Sequence, residues 1–588
     1  MTYRHFKHEG WLYTLAFLIA LGVRLVGLGT LPLTDAEAAP ALQALHLSQS
    51  TSPALDPHPL YILSTSILFL LYGGGTNFLA RLIPALVGSL LVLAPLLLDD
   101  RLKPRPSLIL AFFLALDPGL VAISRQAASP ILAITLLAFT AGFLNKNKLN
   151  LAVITAALAL LSGPSIWLGL LGIGITFAIA QLFFKQKQSA SNEEQETSDG
   201  NQETGMQAEN ATPARFQPAP FKFPTFQTSH LLTFFIAFLL AGTLFFTAPG
   251  GIGAAFSSIP GFFEKWVASS DISQVMLVIS LLVYQPFALL LTVIALLRGW
   301  LGGLRRIVYL SIWLMVAFLL VIFLPARQMA DLAWVLLPLN ALASLELARH
   351  FTIYPDERRE VMGVASLTVF IWVFAWLGMA GINWFPLDTP EYTLRAGMLI
   401  GSLLLLIISL VLIAAGWSIR VARLGGIWGM AIGLGLLSLG GLFGSTGLRG
   451  LTSPEMWWQP QLPLQAELLR DTVNQVSEWG RGNDNVASVA VLGIQSPAIE
   501  WALRENPVQM VDALDVTSAP DFVITSYEMN PELVSAYRGQ DFIWRQSLLW
   551  NRADPGAWLR WVTLREMPQN QEIILLWART DLFIDDEP

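Results

Sequence analysis

Long blocks of apolar residues alternate with short polar connections along most of the chain. Many blocks approach the roughly 20 residues that a helix needs to cross a bilayer. The first block also lacks the short apolar core and small-residue cleavage site of a removable signal peptide. The pattern predicts an α-helical polytopic membrane protein with thirteen spans, at 11–29, 77–98, 106–123, 129–144, 149–163, 165–184, 229–248, 273–297, 306–325, 333–348, 360–383, 395–417 and 423–445.

Composition narrows the class of protein. Of the 588 residues 54% are hydrophobic and 13% are charged, whereas soluble domains carry about 25% charged residues. The net charge of −7 argues against a nucleic-acid partner, which would require a basic surface. The absence of cysteine excludes disulfides, iron–sulfur clusters and thiolate zinc sites.

The apolar segment 58–73 is short for a span, and the basic residues decide its placement. Lys and Arg concentrate in short cytoplasmic loops. If 58–73 does not cross, the N-terminal Arg4 and Lys7 share one side with the basic clusters at 101–105 and 298–306. We therefore predict a re-entrant or interfacial helix on the outer side of a plasma membrane, with the N-terminus cytoplasmic and the C-terminus outside.

Four regions follow from these assignments. A transmembrane module spans 1–185 and contains an outer loop at 30–76, and further transmembrane helices occupy 229–445. The polar stretch 186–228 is too poor in apolar residues to fold, which predicts a disordered cytoplasmic linker. Residues 446–588 alternate helical and strand patterns, which predicts an extracytoplasmic α/β domain with a small sheet. Its predicted helices are 464–479, 497–505 and 531–538, and its predicted strands are 487–494, 521–526, 541–549 and 571–577.

Two carboxylates stand at the start of the outer loop, in Thr34-Asp35-Ala36-Glu37. Thr34 or Asp35 could cap a helix whose first turn, with its unpaired N–H groups, favours anions. Alternatively, Asp35 or Glu37 acts as a general base on a substrate hydroxyl. The two interpretations are compatible, because a capped helix is a rigid support.

The segment Asp56-Pro57-His58-Pro59-Leu60-Tyr61 opens the short apolar helix. His58 and Tyr61 could orient a polar ligand, or serve as a structural histidine and an interfacial aromatic residue. Glu37, His46 and His58 could in principle bind a divalent metal, but their spacing matches no known metal signature.

Three arginines lie near the ends of predicted spans. Arg24, Arg81 and Arg125 could each extend to the lipid headgroups, or use the planar guanidinium fork to bind a lipid phosphate. Asp117 precedes Pro118, which favours a turn rather than a ligand site.

The order of these residues resembles a known family. Arg24, the Asp35–Glu37 pair, His58-Pro59-Leu60-Tyr61, Arg81 through Gly88, Asp117-Pro118 and Ser124-Arg125 resemble the N-terminal module of the GT-C glycosyltransferases. The resemblance is to family 39 in particular, with its protein O-mannosyltransferases and aminoarabinose lipid A transferases. It covers residues 10–145, and the later spans agree only in number and orientation.

The resemblance implies a reaction at the outer face of the membrane, without a required cofactor. A sugar would pass from a polyprenyl-phosphate donor to a hydroxyl of a protein, lipid or glycan acceptor. Asp35 matches the family's catalytic acid, with Glu37 as the second choice. His58 and Tyr61 would contact substrate, and Arg81 and Arg125 would bind phosphate or pair structurally with the loop.

One departure from the family pattern keeps other functions open. Many members carry a second Asp shortly after the Ser-Arg pair, where this chain has Gln126-Ala-Ala-Ser-Pro130. A non-catalytic homologue that acts as a scaffold for envelope assembly is therefore an alternative, and a transporter or flippase is a third class. Nine tryptophans after residue 450 suit a protein core, sugar stacking or a membrane belt, and Trp457 and Trp458 are the clearest belt candidates.

Overall fold

The computed structural model describes residues 9–51, 53–199, 227–386, 388–449, 454–458, 461–514, 519–529 and 531–583. Most of these residues are helical. The helices up to residue 445 are α1 Glu9–Leu25, α2 Asp35–Ser48, α3 Pro59–Tyr72, α4 Asn77–Leu90, α5 Ala94–Leu97, α6 Asp99–Leu102, α7 Pro104–Leu116, α8 Pro118–Ser124, α9 Ile131–Asn145, α10 Leu149–Leu160, α11 Ser165–Asp199, α12 Thr228–Gly242, α13 Gly250–Glu264, α14 Gln274–Tyr284, α15 Pro286–Leu301, α16 Arg305–Phe323, α17 Ala333–Leu347, α18 Arg358–Ile382, α19 Pro390–Gly416 and α20 Ile419–Ser445.

Within the described ranges, seven helical stretches are long and apolar enough to cross a membrane, and nine are if each of two bent pairs forms one span. The chain is thus a multi-pass membrane protein, although the predicted number of thirteen spans is not confirmed. Every predicted span coincides with a helix, but several of these helices are shorter than a span. The short apolar helices are α3, α9, α10 and α12.

Proline explains both bent pairs. Helices α7 and α8 meet at 57° at Asp117-Pro118, and α14 and α15 meet at 95° at Gln285-Pro286. Proline has no N–H to donate to the preceding turn and disfavours helix in the residue before it. The Leu120 N–H donates to Asp117 Oδ1 at 2.9 Å, which confirms the predicted turn role of Asp117.

Helix α11 extends into the segment 186–228, for which the sequence predicts a disordered linker. It continues to Asp199, because Glu and Gln, although too polar to form a core, are good helix formers. Residues 200–226 of the predicted linker lie outside the described residues.

Helix α3 is the short apolar segment that we predict does not cross the membrane. Its 14 residues rise about 21 Å at 1.5 Å per residue, against about 30 Å for the hydrocarbon core. It packs mainly against α2 and ends at Gly73, whose φ of +84° favours glycine. Its length agrees with an interfacial helix, and its side of the membrane stays a prediction.

The chain ends in a small domain with a five-stranded mixed sheet of order β2-β1-β3-β5-β4. Strand β1 pairs in parallel with β2 and β3, and β5 pairs antiparallel with β3 and β4. The predicted small sheet is confirmed, but the helix predicted at 531–538 is wrong. Its last residues begin a long strand that pairs with β5. The elements are α21 Ala466–Arg481, β1 Val489–Leu492, α22 Pro497–Ala502, β2 Val508–Val511, β3 Phe522–Ser526, β4 Tyr537–Leu548, α23 Pro555–Leu564 and β5 Gln569–Arg579.

Trp457 lies in the core rather than in a membrane belt, contrary to the prediction. Its side chain is 1% exposed and packs edge-on against Tyr284. It also covers Gly119, where a Cβ would lie 2.5 Å from the indole ring. Trp458 donates its indole N–H to the carbonyl of Ser445. The two tryptophans thus attach the small domain to the helices.

Gly88 allows α4 to approach α8 closely, since a Cβ there would lie 2.2 Å from Ser124 Oγ. We expect Gly88→Ala to destabilise the protein by about 1–3 kcal/mol through overpacking. The measurement is thermal unfolding of the purified protein in detergent. Gly22→Ala in α1 is the matched control, because nothing lies within 4 Å of a Cβ there. Equal stability of the two variants would contradict the packing assigned to Gly88.

Candidate functional site

The site is built on the first turn of α2. Thr34 is the N-cap residue, Asp35 the first helical residue and Glu37 the third. The Thr34 N–H donates to Glu37 Oε2 at 3.3 Å, as in a capping box. The predicted capping role is therefore present, and it fixes the directions in which the two carboxylates project.

Glu37 forms a buried ion pair with Arg81 of α4. Arg81 donates from Nε to Oε1 at 2.8 Å and from Nη2 to Oε2 at 2.6 Å, a bidentate arrangement. The Ala127 N–H also donates to Oε1, at 2.9 Å. With the capping bond from Thr34, all of the roughly four acceptor positions of the carboxylate are occupied.

Arg81 is occupied just as completely. Its remaining N–H groups donate to three carbonyl oxygens of the connection between α1 and α2, residues 26–34, which we call the first loop. They are those of Leu28, Leu31 and Pro32. All five of its hydrogen-bond donors are therefore used within the protein. Of the two roles predicted for Arg81, the structure shows the structural pairing.

Arg125 binds the C-terminal end of α1. It donates to carbonyl oxygens in the last turn of α1 and just after it, and to one at the end of α20. Burial lowers its pKa to about 10, with Arg81 contributing. Arg24 joins the same packing and donates from Nε to Ser124 Oγ at 3.1 Å. The carbonyl partners of Arg125 belong to Val23, Arg24, Val26, Gly27 and Thr446.

Asp35 points to the C-terminal domain. Its Oδ2 accepts from Arg545 Nη2 at 2.5 Å. Its Oδ1 accepts from Ser496 Oγ at 2.5 Å and from the Ala498 N–H at 3.0 Å. These partners lie on β4 and at the start of α22, so Asp35 connects the start of α2 to the domain.

The two carboxylates differ in access. The Asp35 side chain is 25% exposed and that of Glu37 is 2% exposed. Three hydrogen bonds reach Asp35, which leaves one acceptor position on Oδ2. Asp35 therefore retains the capacity to accept a proton or a hydroxyl hydrogen.

His58 and Tyr61 lie at the start of α3. Tyr61 is fully buried, and its hydroxyl donates to the Ala80 carbonyl at 2.8 Å. His58 packs over Gly163, and burial lowers its pKa to about 4, with Lys265 contributing and Asp56 opposing. His58 is thus neutral near pH 7. Among the described residues, no group of three or more His, Asp or Glu side chains is placed to hold a metal ion.

Two cavities flank this site. A cavity of about 30 Å³ is lined by Glu37, Arg81, Arg125 and Trp458 among others, and it has room for a water molecule but not for a sugar. A second, of about 250 Å³, lies between the first loop and the C-terminal domain. Asp35 lines neither, but Ala498, which donates to it, lines the larger one.

The partners of Asp35 could not be found by inspecting the sequence. Ser496 and Arg545 lie 461 and 510 residues further along the chain. Neither belongs to a recognisable motif, and only the docking of the domain brings them to α2.

No family matches the chain in sequence, and no curated protein matches it. Solved structures do. ArnT from Cupriavidus metallidurans bound to undecaprenyl phosphate aligns with a TM-score of 0.52 and 13% identity, over 97% of this chain and 99% of that one. The shared fold runs through both the membrane helices and the C-terminal domain. The chain shares the ArnT fold.

Two further structures align less closely. Apo ArnT from Cupriavidus metallidurans gives a TM-score of 0.49 at 14% identity, over 88% of this chain and 93% of that one. The Archaeoglobus fulgidus oligosaccharyltransferase in complex with zinc and sulfate gives 0.37 at 12%, over 88% and 68%. The ArnT alignment over nearly the full length of both chains shows a shared fold, which agrees with the fold expected from the resemblance in sequence.

The Glu37–Arg81 pair is expected to contribute to the free energy of unfolding of the protein. Arg81→Met leaves the buried Glu37 carboxylate without its cation, and we expect a loss of about 3–5 kcal/mol. Replacing both residues, as Arg81→Met with Glu37→Leu, should cost less than the single change, because no buried charge remains. The readout is thermal unfolding in detergent.

Lys146→Met is the control for this pair. Lys146 pairs with Asp99 and Asp100 at a more exposed place, where loss of an ion pair costs about 0–1 kcal/mol. Equal losses from Arg81→Met and Lys146→Met would contradict the assigned role of the buried pair.

Proposed function

We propose that this protein is a membrane glycosyltransferase that moves a sugar from a polyprenyl-phosphate donor to an acceptor hydroxyl at the outer face of the plasma membrane. The observation that carries the proposal is the ArnT fold over 97% of the chain, in a structure bound to undecaprenyl phosphate. The ordered motifs of residues 10–145 support it independently. The sugar and the acceptor stay unassigned.

Asp35 is the general base of the proposed reaction. Glu37 has every acceptor position filled and is nearly inaccessible. Asp35 keeps one free position on Oδ2 and a quarter of its side chain exposed. Accessibility and an unoccupied lone pair are what proton abstraction requires, so the geometry favours Asp35 over Glu37.

The proposed reaction is a single displacement at the anomeric carbon of the sugar. The acceptor hydroxyl gives its proton to Asp35 Oδ2 while its oxygen forms a bond to the anomeric carbon. The bond from that carbon to the phosphate oxygen breaks, and polyprenyl phosphate leaves with the electron pair. Glu37 and Arg81 act as positioning residues that hold the start of α2, and Arg125 holds the end of α1.

A non-catalytic scaffold is the second candidate, and one observation favours it. Asp35 bonds to Arg545, Ser496 and Ala498, and it lines neither cavity. On this alternative, the carboxylate serves only to dock the C-terminal domain. The two functions therefore predict different rates of sugar transfer when Asp35 or Arg545 is replaced.

We expect Asp35→Asn to lower sugar transfer about 10²- to 10⁴-fold, the usual contribution of a general base. Arg545→Ala removes a docking partner but leaves the carboxylate, and its rate should stay within about tenfold of wild type. The measurement is release of polyprenyl phosphate from radiolabelled polyprenyl-phosphate sugars by protein in nanodiscs, with a bacterial envelope extract as acceptor.

Asp471→Asn is the matched control, because Asp471 is exposed and lies in the C-terminal domain. Equal losses in Asp35→Asn and Arg545→Ala would assign Asp35 to docking and support the scaffold. Absence of release from every donor with the wild-type protein would contradict the transferase proposal.

A further inference from the structure

The larger cavity lies where the first loop meets the C-terminal domain. It encloses about 250 Å³, slightly below the roughly 300–1,000 Å³ of typical ligand pockets. Residues 29–33 and 76–78 form one wall, and residues 466–470 and 498–504 form the other. Because both walls are needed, the cavity exists only while the domain is docked.

Arg504 lines this cavity. Its side chain is only 12% exposed. Nε donates to the Gly75 carbonyl at 2.9 Å and Nη1 to the Trp501 carbonyl at 2.8 Å, while the group stacks 4.7 Å from the Trp501 ring. Glu505 lies 4.0 Å from Nη2, beyond hydrogen-bonding distance. A guanidinium has five N–H donors. Two of those of Arg504 are used in these hydrogen bonds to described residues, which leaves three N–H groups for a ligand.

Arg470 brings a second positive charge to the same space. Its Nε and Nη2 both donate to Asp471 Oδ1. Burial lowers the pKa of Arg504, and the charge of Arg470 lowers it further while Glu505 opposes both. Two guanidinium groups that repel each other across a small cavity are stabilised by an anion between them.

Other lining groups suit hydroxyls. Asn77 accepts the Trp501 indole N–H on Oδ1 at 2.8 Å, which fixes the orientation of its amide. Glu467 contributes an exposed carboxylate, and Phe78 a ring that is 40% exposed. Amides and carboxylates bind sugar hydroxyls, while an exposed aromatic face can cover a sugar ring.

We propose that this cavity binds a hydroxylated phosphate, either a free sugar phosphate or the sugar or glycerol phosphate of a lipid headgroup. Arg470 and Arg504 bind the phosphate oxygens, which match the guanidinium fork. Asn77 and Glu467 bind the hydroxyls. The site is defined by binding alone and does not depend on the proposed transferase activity.

Titration calorimetry on the full chain in phosphatidylcholine nanodiscs tests the proposal, with glucose 1-phosphate, glycerol 3-phosphate and uncharged glucose as probes. We expect the two phosphates to bind at least tenfold more tightly than glucose. Arg470→Ala should weaken phosphate binding at least tenfold, and Arg470→Lys should weaken it less. Arg560→Ala is the control, because Arg560 lies exposed on α23 of the same domain.

Nanodiscs that contain phosphatidylglycerol distinguish the two sources of the ligand. Weaker binding of the soluble phosphates there indicates that a lipid headgroup occupies the cavity, and unchanged binding indicates a free ligand. Equal affinity for glucose and its phosphate would overturn the proposal. An affinity that Arg470→Ala does not change would also overturn it. Arg504→Lys keeps the charge over Trp501 and serves as a second variant, expected to weaken binding without unfolding the domain.

Discussion

The buried ion pair between Glu37 and Arg81 holds together the elements that surround the start of α2. Removing two charges from water costs several kcal/mol for each ion, and the pair offsets this only when the remaining donors and acceptors are satisfied. Here they are, since Arg81 uses all five donors and Glu37 accepts from four N–H groups. The pair thereby joins α2, α4, the first loop and the turn at Ala127 into one frame.

This frame separates two carboxylates that are only two residues apart. Successive helical residues are rotated by about 100°, so the first and third residues of α2 project to nearly opposite sides. Glu37 faces the helices, and its carboxylate oxygens are fully occupied by hydrogen bonds within the protein, whereas Asp35 faces the C-terminal domain. In the proposed transferase reaction, this division places the C-terminal domain beside the general base.

The sequence predicts what depends on local patterns. Apolar blocks locate the helices, Thr34 with Glu37 marks the start of α2, and Asp117-Pro118 marks a break, because each signal lies within a few residues. The number of spans is harder to predict, because the apolar pattern does not give the angle of a proline bend, and the blocks at 129–144, 149–163 and 229–248 form helices of only 12 to 15 residues. The burial of Trp457 and the partners of Asp35 depend on contacts between distant segments, which carry no local signature.

A structure of the protein in nanodiscs with a non-hydrolysable polyprenyl-phosphonate sugar tests the division of the two carboxylates directly. If Asp35 is the base, Glu37 remains bonded to Arg81 while the anomeric carbon lies beside Asp35 Oδ2. A sugar bound beside Glu37, with Arg81 turned away from it to the phosphonate, would contradict the assignment of Asp35 as the base.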